Sequence, residues 1–179
     1  MTEVLSFLEG LSKKARRCYE EGKFTLAVDL YRQLIQLNPN SMNSWFGKAL
    51  AHQDLGEHRK AIHCYQQVHK RDPEHHGVFN NSACSYWALG YKKAAIRRYQ
   101  TAIVFQVKKK SSDPYAFINL VGCYEELESM EDALMVADYW LKHFPECQEA
   151  RATKESLIRR MPSLRRLKPI SREGEVIHG

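Results

Sequence analysis

Eight histidines and five cysteines are the side chains of this 179-residue protein best equipped for chemistry. Six of the histidines, His52, His58, His63, His69, His75 and His76, crowd into one stretch, where imidazoles could bind a transition metal or move protons. Two ligands on one helix must stand three or four residues apart to share a face, and none of these pairs does; His75 and His76 are adjacent, at a turn. Surface histidines near helix ends are therefore expected, with no metal site. Cys18, Cys64, Cys84, Cys123 and Cys147 are odd in number and scattered, with no CxxC pair, so they read as reduced thiols in small packing sites. The acid pairs Glu20 with Glu21, Glu125 with Glu126 and Glu131 with Asp132 fall on exposed helix faces or at helix starts, where a carboxylate meets the positive end of the helix dipole. There is no GxSxG, phosphate loop or dinucleotide glycine pattern, and no nucleophile, base and acid assemble. The expectation is a protein that is not an enzyme and takes no cofactor and no small-molecule substrate.

Periodicity organises the rest. Gly22, Gly56 and Gly90 stand 34 residues apart, as do Ala27, Ala61 and Ala95, then Tyr31, Tyr65 and Tyr99, and also Pro39 and Pro73. Several residue types locked in one phase require a repeated structural unit. Within a unit, a first helix such as Asn43 to Leu55 ends at Gly56, which can take the left-handed conformation of a C-cap. A second helix runs from about Arg59 to about Arg71, with Ala61 small where helices cross, Tyr65 bulky one turn later, and Pro73 ending it for want of an amide proton. Each pair is apolar on two sides and must stack on its neighbours.

These residues resemble the tetratricopeptide repeat (TPR). The resemblance implies an all-α helical solenoid, a right-handed superhelix of helix-turn-helix repeats at about 8–41, 42–75, 76–109 and 114–147. A four-residue insertion, Lys110 to Asp113, precedes the last repeat, which carries Phe117, Leu120, Tyr124, Ala133 and Pro145 at the family positions. Val107 replaces the third closing proline, implying a longer helix or a loop. Ala137 replaces the fourth aromatic, and Tyr139 and Trp140 are the nearby candidates for its bulk. A capping helix is expected at about 148–160, completing a domain over 1–160, with a flexible basic tail over 161–179.

In this family the first helix of each pair lines the concave face. Carried over position by position, the resemblance implies a groove containing Asn43, Phe46, Leu50, Gln53, Asn80, Cys84, Trp87, Tyr115 and Ile118. Phe46, Leu50, Trp87, Tyr115 and Ile118 form an apolar strip, with Asn43, Gln53 and Asn80 beside it to hydrogen-bond an extended peptide. The basic clamp with which some members grip the acidic tails of heat-shock chaperones is absent, since Phe46, Gly47, Leu50 and Cys84 occupy its frames. The implied function is a protein–protein interaction scaffold or adaptor with a partner segment in the groove. Tyr19-Glu-Glu-Gly-Lys-Phe, Ala51-His-Gln-Asp-Leu-Gly-Glu and Phe79-Asn-Asn-Ser-Ala-Cys are similar to runs in the translocator chaperones of bacterial type III secretion, a narrower alternative.

The formal charge is +6, and eight Lys or Arg against three acids in residues 151–179 account for a net +5 of it. Contact with an acidic surface is thus expected from the tail, through Arg159, Arg160, Arg165, Arg166 and Lys168. An RNA-binding helical-repeat protein is the alternative of another class, although pentatricopeptide proteins repeat at about 35 residues and lack the Gly and Ala positions found here. No apolar run reaches the roughly 20 residues of a membrane helix, so a cytoplasmic protein is expected. The oligomeric state stays open.

Overall fold

The computed structural model describes residues 2–161. Arg165, Arg166 and Lys168 lie outside the described residues, as does the expected tail beyond Met161, which is itself buried. The described residues form nine helices and no strand: α1 (Thr2–Glu20), α2 (Phe24–Leu37), α3 (Met42–Asp54), α4 (His58–His69), α5 (His76–Ala88), α6 (Lys92–Lys108), α7 (Tyr115–Glu126), α8 (Met130–His143) and α9 (Gln148–Arg160). Contacts divide them into two compact units, one up to Leu120 and one from Val121, so the division falls inside α7.

In the first unit every helix from α1 to α6 packs on the next, and α3 also touches α1 and α5. One core joins Ala15, Cys18, Ala27, Leu30, Tyr31, Leu34 and Ala51, and the next joins Ala49, Ala61, Cys64, Tyr65, Val68 and Val78. Each core draws on both helices of a pair and on the first helix of the following pair, as a stack of mutually dependent units requires. In the second unit Val121, Ala133, Ala137 and Leu157 form a third core from α7, α8 and α9.

The turns repeat one hydrogen-bond pattern. After α3, the Gly56 amide donates to the Gln53 carbonyl and the Glu57 amide to the His52 carbonyl, the paired bonds of a Schellman cap, with Gly56 at φ 73°. The same pair of bonds closes α1 at Gly22 and α5 at Gly90. Lys110 after α6 and Glu128 after α7 make it too, at φ 51° and 57°, without being glycine. The ambiguity at Val107 thus resolves as a longer helix: α6 runs 17 residues, to Lys108, and a left-handed Lys110 stops it where proline stops its counterparts.

Candidate partner-binding site

The first helices α3, α5 and α7 are tied to one another by side chains on a single face of the first unit. Gln53 on α3 accepts at its Oε1 from the Tyr65 hydroxyl (3.0 Å) and from the Ser85 hydroxyl on α5 (3.1 Å). Asn119 on α7 donates to the Asn80 side-chain carbonyl on α5 (3.0 Å) and lies 3.8 Å from the Cys84 sulfur, which also accepts from the Tyr99 hydroxyl at 3.1 Å. Burial pushes the Cys84 thiol above its ordinary range, the Tyr99 hydrogen bond offsets only part of this, and the sulfur serves as a hydrogen-bond acceptor. The sequence assigns Gln53 and Asn80 to a peptide backbone; the structure gives their carbonyl oxygens a bracing task between helices. Asn119, which the positional carry-over misses, anchors the α7 end of that brace.

The apolar positions divide by depth. Phe46 and Leu50 are half-buried against the core around Tyr65, and the Phe46 ring stacks on the His75 imidazole at 5.2 Å. Trp87 is half-buried with the Lys92 ammonium 5.0 Å from its ring centre. Tyr115 and Ile118, by contrast, are 61% and 42% exposed, and Asn43 is exposed at the start of α3. Beside Asn43 a cleft of about 180 Å³ opens between α1, the end of α2 and α3, lined by Leu8, Ser12, Leu34 and Ser44 among others. At the other end of α1, Tyr19 reaches Asp54, and burial followed by this carboxylate raises its phenol well above the ordinary value.

Two histidine expectations need correction. His52 is not a surface residue: it is 6% exposed inside α3, with Nδ1 2.6 Å from a Glu57 oxygen. A carboxylate only accepts, so Nδ1 carries the proton, and burial outweighs the Glu57 charge in holding the imidazole below its ordinary pKa. His75 is half-buried under Phe46, and burial lowers its pKa as well. Among the thiols Cys18, Cys64 and Cys123 are buried, and desolvation pushes Cys64 up to about 11. In the second unit Arg159 and Arg160 are exposed, and Arg160 pairs with Glu125.

Comparison with known proteins agrees with the stacked pairs. A model described as tetratricopeptide repeat matches residues 43–75, and one described as TPR repeat matches residues 15–56. Small glutamine-rich tetratricopeptide repeat-containing protein 2 of Mycosarcoma maydis is 26% identical over 101 residues, which are 56% of this chain and 29% of that protein. The chain therefore spans well under half the length of this relative. A thermophilic TPR protein of Thermus thermophilus has a similar structure, with TM-score 0.67 and 16% identity over 84% of this chain and 81% of the other. The Sgt2 TPR domain of Aspergillus fumigatus follows with TM-score 0.62 and 17% identity over 70% and 82%. At such identities the structures speak to fold alone. Residues 15–75 thus match tetratricopeptide-repeat models, and the described residues have the all-α fold of stacked helix pairs that those repeats build. These matches support the repeat family and do not extend to the secretion chaperones.

Proposed function

We propose that this protein is a non-catalytic adaptor whose α3–α5–α7 face holds an extended segment of a partner protein. The observation that carries this reading is the contrast between Asn119, committed to α5, and its neighbours Tyr115 and Ile118, which stand exposed on the same helix. A large apolar side chain left in water forgoes about 1.5–3 kcal/mol of burial, and a partner side chain can recover it. Phe46, Leu50 and Trp87, half-buried behind them, supply walls, while the exposed Asn43 amide offers a donor and an acceptor to an extended backbone. The proposed domain is the repeat array with α9 as its cap.

The test is selection from a random peptide library against the full chain, followed by binding of the enriched peptides to Ile118→Asp and Tyr115→Ala. Peptides with spaced apolar anchors that lose at least tenfold in affinity to these exposed-site variants, at unchanged thermal stability, support the reading. Failure to enrich any peptide, or peptides that bind both variants as well as the parent, overturns it.

A further inference from the structure

The near-neutral body of the chain conceals a segregation of charge between helices. Neither α4 nor α6 contains an aspartate or glutamate, and together they carry Arg59, Lys60, Lys92, Lys93, Arg97, Arg98 and Lys108, with Lys70 and Lys109 at their C-caps. The corresponding helix of the first pair, α2, has Asp29 paired with Arg32, so this is no general property of second helices. Helical spacing lines up Arg59, His63, Gln66 and Lys70 on α4, and Lys93, Arg97, Gln100, Val104 and Lys108 on α6; all nine are exposed. At about 1.5 Å per residue these rows run about 16 and 22 Å. Carboxylates at the margins are already engaged, Glu57 with Lys60 and His52, and Glu74 with Lys108. Among the described residues Arg59, Lys70, Lys93 and Arg97 have no carboxylate in ion-pair range.

The two helices share a cleft. Gln66 and His69 on α4, Val78 and Ser82 on α5 and Arg98 on α6 line it. Arg98 donates to the Ser82 hydroxyl (3.2 Å) and lies 4.6 Å from the Tyr86 ring centre, and Tyr86 in turn contacts Tyr91, which is 52% exposed. The two basic rows thus lie on helices that line one cleft, where a guanidinium stands over an aromatic ring next to the exposed Tyr91. An acidic peptide would want apolar anchor pockets, and a bilayer would want several exposed apolar side chains to insert; Val104 alone meets that need within the rows. Backbone phosphates along a basic track, with a base stacked on an aromatic face, match it instead.

We propose that the α4–α6 face binds single-stranded nucleic acid through its phosphates, without choice of sequence, with Tyr91 as a stacking platform. This surface lies on the second helices, needs no partner groove, and differs from a code of one base per repeat.

The experiment uses the full chain and a labelled 20-nucleotide oligouridylate, followed by fluorescence anisotropy. Four to five phosphate contacts at a slope of about −0.7 each predict affinity falling about a hundredfold from about 50 to about 200 mM salt. Arg59→Glu/Lys93→Glu/Arg97→Glu should weaken binding more than tenfold and flatten the salt slope by about 2, and Tyr91→Ala should weaken it without changing the slope. Arg165→Glu/Arg166→Glu/Lys168→Glu is the comparison variant, and it should leave the contribution of the α4–α6 charges in place. Equal binding by the face variant, no binding of the oligonucleotide by the parent, or tighter capture of phosphatidylserine vesicles or polyglutamate through the same three residues would each overturn the proposal. Ile118→Asp leaves this binding unchanged, so its outcome is separable from that of the peptide groove.

Discussion

The ring of Tyr31 on α2 occupies the space that a side chain at position 47 on α3 would need. A Cβ built on Gly47 would stand 2.3 Å from Tyr31 Cζ and 2.7 Å from its hydroxyl oxygen, and both residues are buried. The first two helix pairs therefore meet through an aromatic ring lying directly on backbone, a contact that packs densely because one partner has no side chain.

Gly47→Ala should cost about 1–3 kcal/mol, because the buried ring must leave its place. The helix gains from alanine about 1 kcal/mol of propensity, which opposes but does not cancel the clash. Denaturant unfolding of Gly47→Ala, Tyr31→Leu and the double variant measures the coupling. If the two single costs simply add, the proposed contact is not what limits position 47.

Glu128 holds the turn after α7 at φ 57°, where the equivalent turns have glycine. The left-handed region costs a residue with a Cβ about 1 kcal/mol, so Glu128→Gly should stabilise the protein by about 0.5–1 kcal/mol. Gly56→Ala is the mirror experiment and should destabilise by a similar amount. A midpoint of unfolding that does not rise in Glu128→Gly means that the greater freedom of glycine in the unfolded chain cancels the relief.

His52 and His75 both have pKa values lowered by burial. Unfolding returns each imidazole to about 6.5, so between the folded and unfolded values the unfolded chain binds more protons. Their contribution to stability is complete above about pH 6.5 and is lost as the pH falls through the folded values. Thermal melts at about pH 7.5 and about pH 5.5 should show this decline in the parent and a smaller one in His52→Gln/His75→Gln. An identical decline in the double variant assigns the acid sensitivity to other groups.

In the fourth pair the buried aromatic ring sits one turn later than in the earlier pairs. Ala137 is 0% exposed where the earlier pairs have tyrosine, and Trp140, one turn on, is 2% exposed, while Tyr139 remains 41% exposed. Trp140→Ala should thus cost about 3–5 kcal/mol, and Tyr139→Ala under about 1 kcal/mol. Comparable losses from the two changes would mean that both rings carry the packing.

Much of the helical frame was legible in the residues, because glycine at a left-handed turn, alanine at a helix crossing and proline after a helix each act through local sterics. The expected helix from Asn43 to Leu55 is Met42–Asp54, and the expected cap from about 148 to 160 is Gln148–Arg160. Gly47 was not legible, since it lies outside the repeating positions and its reason is a ring from the preceding pair. His52 escaped for a related reason: nothing local to α3 says that its polar side chain turns inward and finds Glu57. For the candidate groove positions, the sequence did not reveal the depth of each side chain, nor the role of Asn119 as a brace.

A chain of 34-residue periodicity determined by itself that helices would pair, where most would begin and end, and which residues each unit repeats, because these follow from backbone sterics and from the period of apolar residues. Only the tertiary structure decided that Phe46 leans on the core while Ile118 stands in water, that Trp140 and not Tyr139 fills the fourth pair, and that α4, α5 and Arg98 of α6 line one cleft. Burial and proximity depend on residues tens of positions away, whose side chains compete for the same space and the same hydrogen bonds, and that competition is settled only when the pairs are stacked.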